Sequence, residues 1–191
     1  GIVGYNDGLV ENCYNSGTIN GLYCVGGISG YNSEIIESCY NTGDITGENN
    51  IAGVTAQNNY GKVYNCYNTG KIESTDIFGG YAGGIVSANS NASAIVENCY
   101  STGNVVGNVD YIGGVVGSIA AGSITNCYYN NTVFTGNVCA GQTGGTLTAS
   151  GKSTTEFASA DMAALLNADQ ENAPWEYIAG NPAPTLKAFN S

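Results

Sequence analysis

Five cysteines recur at one position of a repeated phrase, and they are the first residues in this chain whose type and spacing could support chemistry. The phrase is Asn-Cys-Tyr-Asn-Thr-Gly with small variations, and its cysteines lie 26, 27, 33 and 28 residues apart: Cys13, Cys39, Cys66, Cys99 and Cys127. A structural zinc site uses Cys-x-x-Cys pairs that surround the metal, whereas one cysteine per repeat supplies a single row. Stacked strands lie about 4.8 Å apart, but a disulfide needs Cβ atoms about 3.8 Å apart. We therefore predict reduced core cysteines and no metal site.

Two further cysteines, Cys24 and Cys139, lie outside this row. The total of seven is odd, so at least one thiol is free or pairs between molecules. Cys24 and Cys139 are the only pair for which the sequence leaves a disulfide open.

Catalytic residues are scarce. The chain has no His, which excludes Ser-His-Asp and Cys-His nucleophile pairs and the His-Glu-x-x-His zinc site. Polysaccharide lyases need a strong base and a cation, and the repeats offer only Lys62 and Lys71. Glycoside hydrolysis needs two carboxylates about 5–9.5 Å apart. The acidic candidates in the repeats form no close cluster in sequence, so we interpret them as solvated side chains and predict no enzyme and no cofactor: Asp44, Glu73, Asp76, Glu97 and Asp110.

A tyrosine follows each cysteine of the row. If the cysteines point inward along a strand, these rings point outward and form an aromatic stripe, which could stack on sugar rings. Stacked tyrosines can also simply support one another, with about 0.5–1.5 kcal/mol per pair. The candidate binding residues are Tyr14, Tyr40, Tyr67, Tyr100 and Tyr128.

The net charge of −11 excludes whole classes of partner. Four Lys, no Arg and fifteen acidic residues do not suit nucleic acid, whose phosphates are neutralised by Lys and Arg, or an anionic lipid surface. No apolar run approaches the roughly 20 residues of a membrane span, so we expect no membrane insertion. Residues 1–6 match the repeat phrase of residues 27–32, and we expect the chain to be part of a longer protein.

The elements that position these residues are short strands. Each repeat contains an apolar piece such as Val25-Gly-Gly-Ile28, a β-branched residue three positions before the cysteine, and another six positions after it. Short runs rich in Val and Ile, bounded by Gly and Asn, indicate strands. Repeats of 20–50 residues stack on one another. The sequence thus predicts an all-β fold, a parallel β-solenoid of about five rungs over residues 1–149 with a truncated first rung.

Asn or Ser follows each Cys-Tyr pair, and Gly comes two residues later. Asn tolerates left-handed backbone, so we predict a tight corner here, with each amide bonded to the amide of the next rung. The 33-residue separation predicts an insertion of about six residues near 74–80 or 88–94, as a loop on one face. The corner residues are Asn15, Asn41, Asn68 and Ser101, then Gly17, Gly43, Gly70 and Gly103.

Residues 150–191 differ from the repeats. Ser153-Thr-Thr-Glu156 has the spacing of a capping box, and an apolar stripe follows at helical spacing. We predict a C-terminal cap that covers the open end of the core and contains one helix at about 154–167.

The chain resembles the GLUG repeat over about residues 1–136. The resemblance rests on the phrases at residues 26–32 and 113–117, each of which is followed by Asn-Cys-Tyr-Asn-Thr-Gly or a close variant. Residues 54–58 depart from its Gly-Leu-x-Gly core, and residues 181–186 resemble the segment that often closes such arrays. The resemblance implies a secreted or surface-attached bacterial protein, such as an adhesin-like protein or the non-catalytic part of an IgA-specific metallopeptidase. It carries over no catalytic residue, because that chemistry belongs to a zinc domain.

These observations favour a non-enzymatic extracellular module that acts as a stalk or adhesive surface. Glycans or host surface proteins are its expected partners, and we expect a monomer or weak oligomer. A carbohydrate-active or carbohydrate-binding β-helix that uses an aromatic or acidic face is the alternative, and a spacer without any ligand is a third possibility.

Overall fold

The protein is a parallel β-solenoid of about five rungs, as the sequence predicts. The computed structural model describes residues 1–75, 79–108, 111–168 and 170–190. A complete rung holds five short strands instead of the three predicted pieces, as in residues 23–47. The Gly-Gly turn divides the first piece into two strands, and each Tyr-Asn pair forms a strand of its own.

Four sheets run along the stack, and all their pairings are parallel. Sheet A contains Val3–Asn6, Ser29–Asn32, Thr55–Asn58, Val86–Asn89, Val116–Ile119 and Cys139–Gln142. Sheet B contains Leu9–Glu11, Tyr14–Asn15, Ile35–Glu37, Tyr40–Asn41, Lys62–Tyr64, Tyr67–Asn68, Ile95–Glu97, Tyr100–Ser101, Ser123–Asn130 and Thr146–Lys152. Sheet C contains Ile19–Asn20, Ile45–Gly47, Ile72–Ser74 and Val105–Gly107. Sheet D contains Tyr23–Gly26, Asn49–Ala52, Tyr81–Gly83 and Tyr111–Gly113.

The strand register shows where the long repeat gains its extra residues. Ile72 pairs with Ile45, and Ala82 pairs with Ile51. Ten residues of the long repeat therefore correspond to six residues of the preceding repeat, which places four extra residues in this stretch. Further along the long repeat, Asn89 pairs with Asn58 and Ile95 pairs with Lys62. Six residues of the long repeat here correspond to four residues of the preceding repeat, so this stretch contains the other two extra residues. The predicted insertion of six is thus divided between both predicted places. Residues 76–78 of the first part lie outside the described residues.

Apolar residues at equivalent positions fill the interior. One buried cluster contains Ile28, Val54, Ile85 and Val115 together with the cysteines of the row, and a second contains Ile45, Ile72 and Val105. Burial of a Val, Leu or Ile side chain contributes roughly 1.5–3 kcal/mol, so every rung adds a similar stabilising layer.

The left-handed corner lies at a different residue from the one predicted. Asn15, Asn41 and Asn68 are strand residues, whereas φ is positive at the residue before each cysteine, as at Ser38 (φ 52°) and Asn65 (φ 51°). This kink separates the two parts of sheet B within a rung. The predicted corner glycines are nevertheless required by packing, since a Cβ at Gly43 would lie 2.1 Å from the Gly17 carbonyl oxygen.

The C-terminal segment begins later than predicted and has two helices instead of one. Strand Thr146–Lys152 still pairs with the fifth rung, past the predicted boundary at residue 149. Helix α1 (Thr154–Phe157) begins with the predicted capping box at Ser153, and helix α2 (Ala160–Asn167) has its own N-cap, Ser159. A capping serine between the two turns interrupts the single helix that the apolar spacing predicts.

The remainder of the segment is irregular. An antiparallel pair, Trp175–Glu176 with Thr185–Leu186, precedes a 3-10 turn at Lys187–Phe189. We call residues 153–190 the lateral cap, because their buried side chains pack along the tyrosine row on the side of the solenoid. The predicted position over the open end of the core is therefore corrected.

Candidate functional site

The five predicted tyrosines occupy equivalent positions in sheet B, and the first four stack ring on ring. Centroid distances are 5.1 Å for Tyr14–Tyr40, 4.7 Å for Tyr40–Tyr67 and 5.1 Å for Tyr67–Tyr100, with interplanar angles of 6–7°. Tyr128 continues the row in register with Tyr100. The geometry is that of mutual support, because the neighbours cover the ring faces on which a sugar would stack.

The lateral cap covers most of this row. Tyr67, Tyr100 and Tyr128 are only 7%, 1% and 9% exposed, while Tyr14 is 52% exposed and Tyr40 is half-buried. Trp175 lies 5.9 Å from Tyr67 and 5.4 Å from Tyr100 between ring centroids. The expectation that the row faces a ligand is therefore wrong for these three rings, whose outer side is occupied by the chain itself.

The two remaining rings also contact the cap. Phe189 meets Tyr40 edge-on at 4.8 Å and Tyr14 at 6.0 Å. Only the first tyrosine of the row keeps a substantial exposed surface, so a binding stripe of five rings is not available.

Polar contacts fix the cap to the solenoid. Trp175 Nε1 donates to Asn65 Oδ1 at 3.1 Å, and Asn65 Nδ2 donates to Gln170 Oε1 at 2.9 Å. Tyr100 donates its hydroxyl to the Pro184 carbonyl oxygen at 2.6 Å. Burial, and then the neighbouring Tyr67, raises the pKa of Tyr100 well above its usual value, so the covered ring remains a neutral phenol.

Two rows of asparagine amides run inside the corners. The predicted row is confirmed, since Nδ2 of Asn15 donates to Oδ1 of Asn41 and Asn41 donates onward to Asn68, both at 2.7 Å. A second row joins Asn6, Asn32, Asn58 and Asn89 at 2.7, 3.0 and 2.8 Å. We did not predict the second row, although an Asn recurs at the same place in the first phrase of each of these repeats.

The cysteine row is built as predicted. Cys39, Cys66, Cys99 and Cys127 are fully buried, and all seven cysteines are free thiols, including Cys24 and Cys139, so the bridge left open by the sequence is absent. Burial raises the pKa of Cys66 and Cys127. Cys66 and Cys127 are therefore inert packing groups under ordinary conditions.

Most acidic candidates have structural contacts or lie apart. Glu73 pairs with Lys71 Nζ at 2.8 Å, and Asp44 Oδ1 accepts the Lys71 backbone N–H at 2.9 Å. Asp76 and Asp110 lie outside the described residues. These contacts bring none of the sequence-predicted acids into a catalytic pair.

An acidic cleft that the sequence did not reveal lies beside the cap. Glu37 and Glu97 are in register on either side of Tyr64, two rungs or about 9.6 Å apart. With Asn65 and Gln170, among others, they line a space of about 360 Å³. Burial first, and then these carboxylates, raises the pKa of Tyr64. No group of three or more His, Cys, Asp or Glu side chains suited to a metal occurs in the part of the chain that the structure describes.

The fold and its internal rows define a parallel β-solenoid assembled from stacked repeats. The family model for the GLUG motif matches residues 1–20, 21–46 and 78–106. This match confirms the resemblance that the repeated phrases indicate.

A solved structure has the same fold. It is the crystal structure of a candidate immunoglobulin A1 protease from Bacteroides ovatus, with a TM-score of 0.67 and 23% identity. The alignment covers 97% of this chain but only 62% of that one. A search of curated proteins finds no match. Among the described residues, no helix has the length and apolarity needed to cross a membrane.

Proposed function

We propose that this chain is a non-enzymatic repeat module of a bacterial surface or secreted protein, in which it forms a stalk that presents ligands. The observation that carries the proposal is the unbroken register between successive rungs in sheets A and B. Each added repeat lengthens such a stack by about 4.8 Å. Stability grows by nearest-neighbour contacts, so a module of this kind suits extension by repetition.

The comparisons support an extracellular setting. GLUG motifs occupy three stretches of the chain, and the Bacteroides ovatus protein of the same fold is described as a candidate immunoglobulin A1 protease. The present chain has no His and corresponds to 62% of that protein's chain. We infer a role beside other functional parts of a larger protein, not a peptidase role of its own.

The exposed surface supports adhesion more than catalysis. Tyr5, Tyr23 and Tyr60 are largely exposed, and tyrosine combines an apolar ring with a hydroxyl suited to partly wet interfaces. The net charge of −11 favours neutral or basic partners. Glycans and host surface proteins, immunoglobulin included, are the proposed ligands.

A binding screen paired with an activity assay tests this proposal. The purified chain is applied to arrays of glycans, host matrix proteins and immunoglobulin, and the bound polysaccharides are then assayed for released reducing sugar. Saturable binding without sugar release is the expected result. Release of reducing sugar would contradict the non-enzymatic role. Absence of binding at high protein concentration would contradict ligand presentation and leave a spacer.

A second candidate function, carbohydrate binding at a defined cleft, is favoured by one aromatic pair. Tyr81 and Tyr111 have ring centroids 5.2 Å apart and an interplanar angle of 27°, and they line a space of about 340 Å³ with Asn49, Gly79 and Gly80. Asn49 Nδ2 donates to the Gly79 carbonyl oxygen at 3.0 Å and fixes one wall. If this cleft binds sugars, Tyr81→Ala abolishes the glycan-array signal, and Tyr60→Ala, which alters an exposed ring outside the cleft, preserves it.

A further inference from the structure

The last strand of sheet B, Thr146–Lys152, has a partner on one side only, and we call it the edge strand. It pairs in parallel with Ser123–Asn130, and no strand among the described residues pairs with its opposite edge. The chain does not stop here, because it continues into helix α1 and the lateral cap, which docks on the side of the stack. The open edge is therefore a feature of the fold and lies outside the cap.

The core beside the edge strand lacks a final layer. Leu147 pairs with Ile124, and Ala149 pairs with Cys127. These two partners in the preceding rung are fully buried. Leu147 and Ala149 pack against the same apolar cluster but are themselves only half-buried. One more strand on the open edge would cover both side chains, as each rung covers the one before it, and removal of this apolar surface from water is favourable.

The edge strand is regular and carries little to prevent pairing. In the earlier rungs, sheet B is kinked by a residue with positive φ before each cysteine, from Asn12 to Asn126. No residue of the edge strand has such a left-handed backbone. Its seven residues include no Pro and only one charge, Lys152 at its end. It therefore lacks the proline, the kink and the central charges that commonly block edge-to-edge association.

The distribution of charge favours contact at this end of the stack. The chain has fifteen acidic residues, but none lies between residues 111 and 155, where Lys152 is the only charged residue. A net charge of −11 keeps copies of a protein apart by mutual repulsion. The residues that form the last rung and its edge contribute none of this repulsion, so two copies can approach each other there.

We propose that two copies of this chain associate through their edge strands, antiparallel about a twofold axis, so that sheet B of one copy continues into sheet B of the other. With the axis at Ala149, Leu147 of one copy lies opposite Gly151 of the other, and Thr148 lies opposite Ser150. A large side chain thus meets the smallest residue on the core side, and hydroxyl groups face each other on the exposed side. Both kinds of cross-strand pair suit an antiparallel sheet.

The twofold arrangement also separates the one charge of the edge strand from its copy. Lys152 lies opposite Thr146, so the two lysines stand at opposite ends of the paired strands, about 20 Å apart at roughly 3.4 Å per residue. This separation exceeds the Debye length of about 8 Å at physiological ionic strength. A twofold contact uses the same surface of both copies and closes with two of them. The expected product is therefore a dimer and not a filament.

Sedimentation velocity of the purified chain over a range of concentrations tests this pairing. We expect a reversible equilibrium between monomer and dimer. Thr148 and Ser150 are exposed and face each other across the axis, so Thr148→Lys/Ser150→Lys places like charges directly opposite. The dissociation constant then rises by at least about tenfold. The same variant lowers the net negative charge of the chain, so the loss cannot come from overall repulsion, and unchanged circular dichroism shows that it folds.

A matched variant at the same two positions tests the register. Thr148→Glu/Ser150→Lys places opposite charges across from each other and is expected to dimerise at least as tightly as the unchanged chain. A chain that remains monomeric at every concentration, an undiminished dimer in the variant with two lysines, or equal loss of the dimer in both variants would overturn the proposal. Growth into longer oligomers would indicate head-to-tail stacking of copies and would overturn the twofold pairing as well.

Discussion

At the residue scale, position in the rung determines what a side chain does. Asn41 is completely buried and has three amide partners: it accepts from Asn15 and donates to Asn68 and to the Gly43 carbonyl oxygen, each at 2.7 Å. Each bond joins a rung to its neighbour or closes the turn within one. Buried amides of this kind stabilise the stack mainly because their removal leaves partners unsatisfied.

Replacement of Asn41 by Ala tests this role. The variant leaves the Gly43 carbonyl oxygen and two amides without their partner, and we expect the free energy of unfolding to fall by about 2–4 kcal/mol. Denaturation in urea provides the measurement. Asn20→Ala, at an exposed strand residue, is the control and is expected to change stability by less than about 0.5 kcal/mol. Equal effects of the two variants would show that the amide row is not stabilising.

At the scale of elements, the lateral cap determines how much of the tyrosine row is exposed. Phe157, Met162, Leu166, Trp175 and Leu186 are buried against Tyr67, Tyr100 and Tyr128. Without the cap this face would be an exposed aromatic patch of the kind that marks interaction sites. The cap converts it into a second core beside the solenoid.

Trp175→Ala is expected to release the cap before the solenoid unfolds. The indole packs on two tyrosines and donates to Asn65, and the loss of a buried Trp costs about 3–5 kcal/mol. Hydrogen exchange should show faster exchange in residues 153–190 and unchanged protection in the strands of sheets A and C. Leu165→Ala, at an exposed position of helix α2, serves as the control with little effect. Uniform loss of protection along the solenoid would contradict a separately docked cap.

At the scale of the whole molecule, stability depends on close contact between successive rungs. A Cβ at Gly70 would lie 2.1 Å from the Gly43 carbonyl oxygen, and the same contact recurs between Gly43 and Gly17. The glycine row therefore allows the backbones of adjacent rungs to approach at this corner. A single methyl group in the middle of the stack must push two rungs apart.

We expect Gly70→Ala to destabilise the protein by about 3 kcal/mol or more, because the obstructing atom is backbone and cannot move without disrupting several ladder hydrogen bonds. Gly17→Ala provides a matched control at the same position of the first rung, where the nearest atom would be Asn15 Oδ1 at 3.8 Å. Thermal unfolding of both variants compares the two sites. A similar melting temperature for both would contradict the role of rung contact at this corner.

The repeated phrase by itself determined the solenoid, the inward cysteines and the first asparagine row. These features follow from local periodicity: every rung presents the same residue at the same place, and a shift of one residue would turn the apolar side chains of a strand outward. The phrase also predicted where Cys-Tyr pairs stack. It did not reveal the residue that adopts left-handed backbone, since Asn occurs both before and after the Cys-Tyr pair.

Only the tertiary structure decided what the tyrosine row faces. Trp175 bonds to Asn65 across 110 residues, and Tyr100 bonds to Pro184 across 84. Such contacts join a non-repeating segment to a repeating one and leave no periodic signal in either. The cysteine, tyrosine and first asparagine rows could therefore be predicted from the sequence, because each of these residues contacts the equivalent residue of the next rung. The cap that covers the tyrosines was not, because its docking depends on the shape and free hydrogen-bonding groups of the assembled stack.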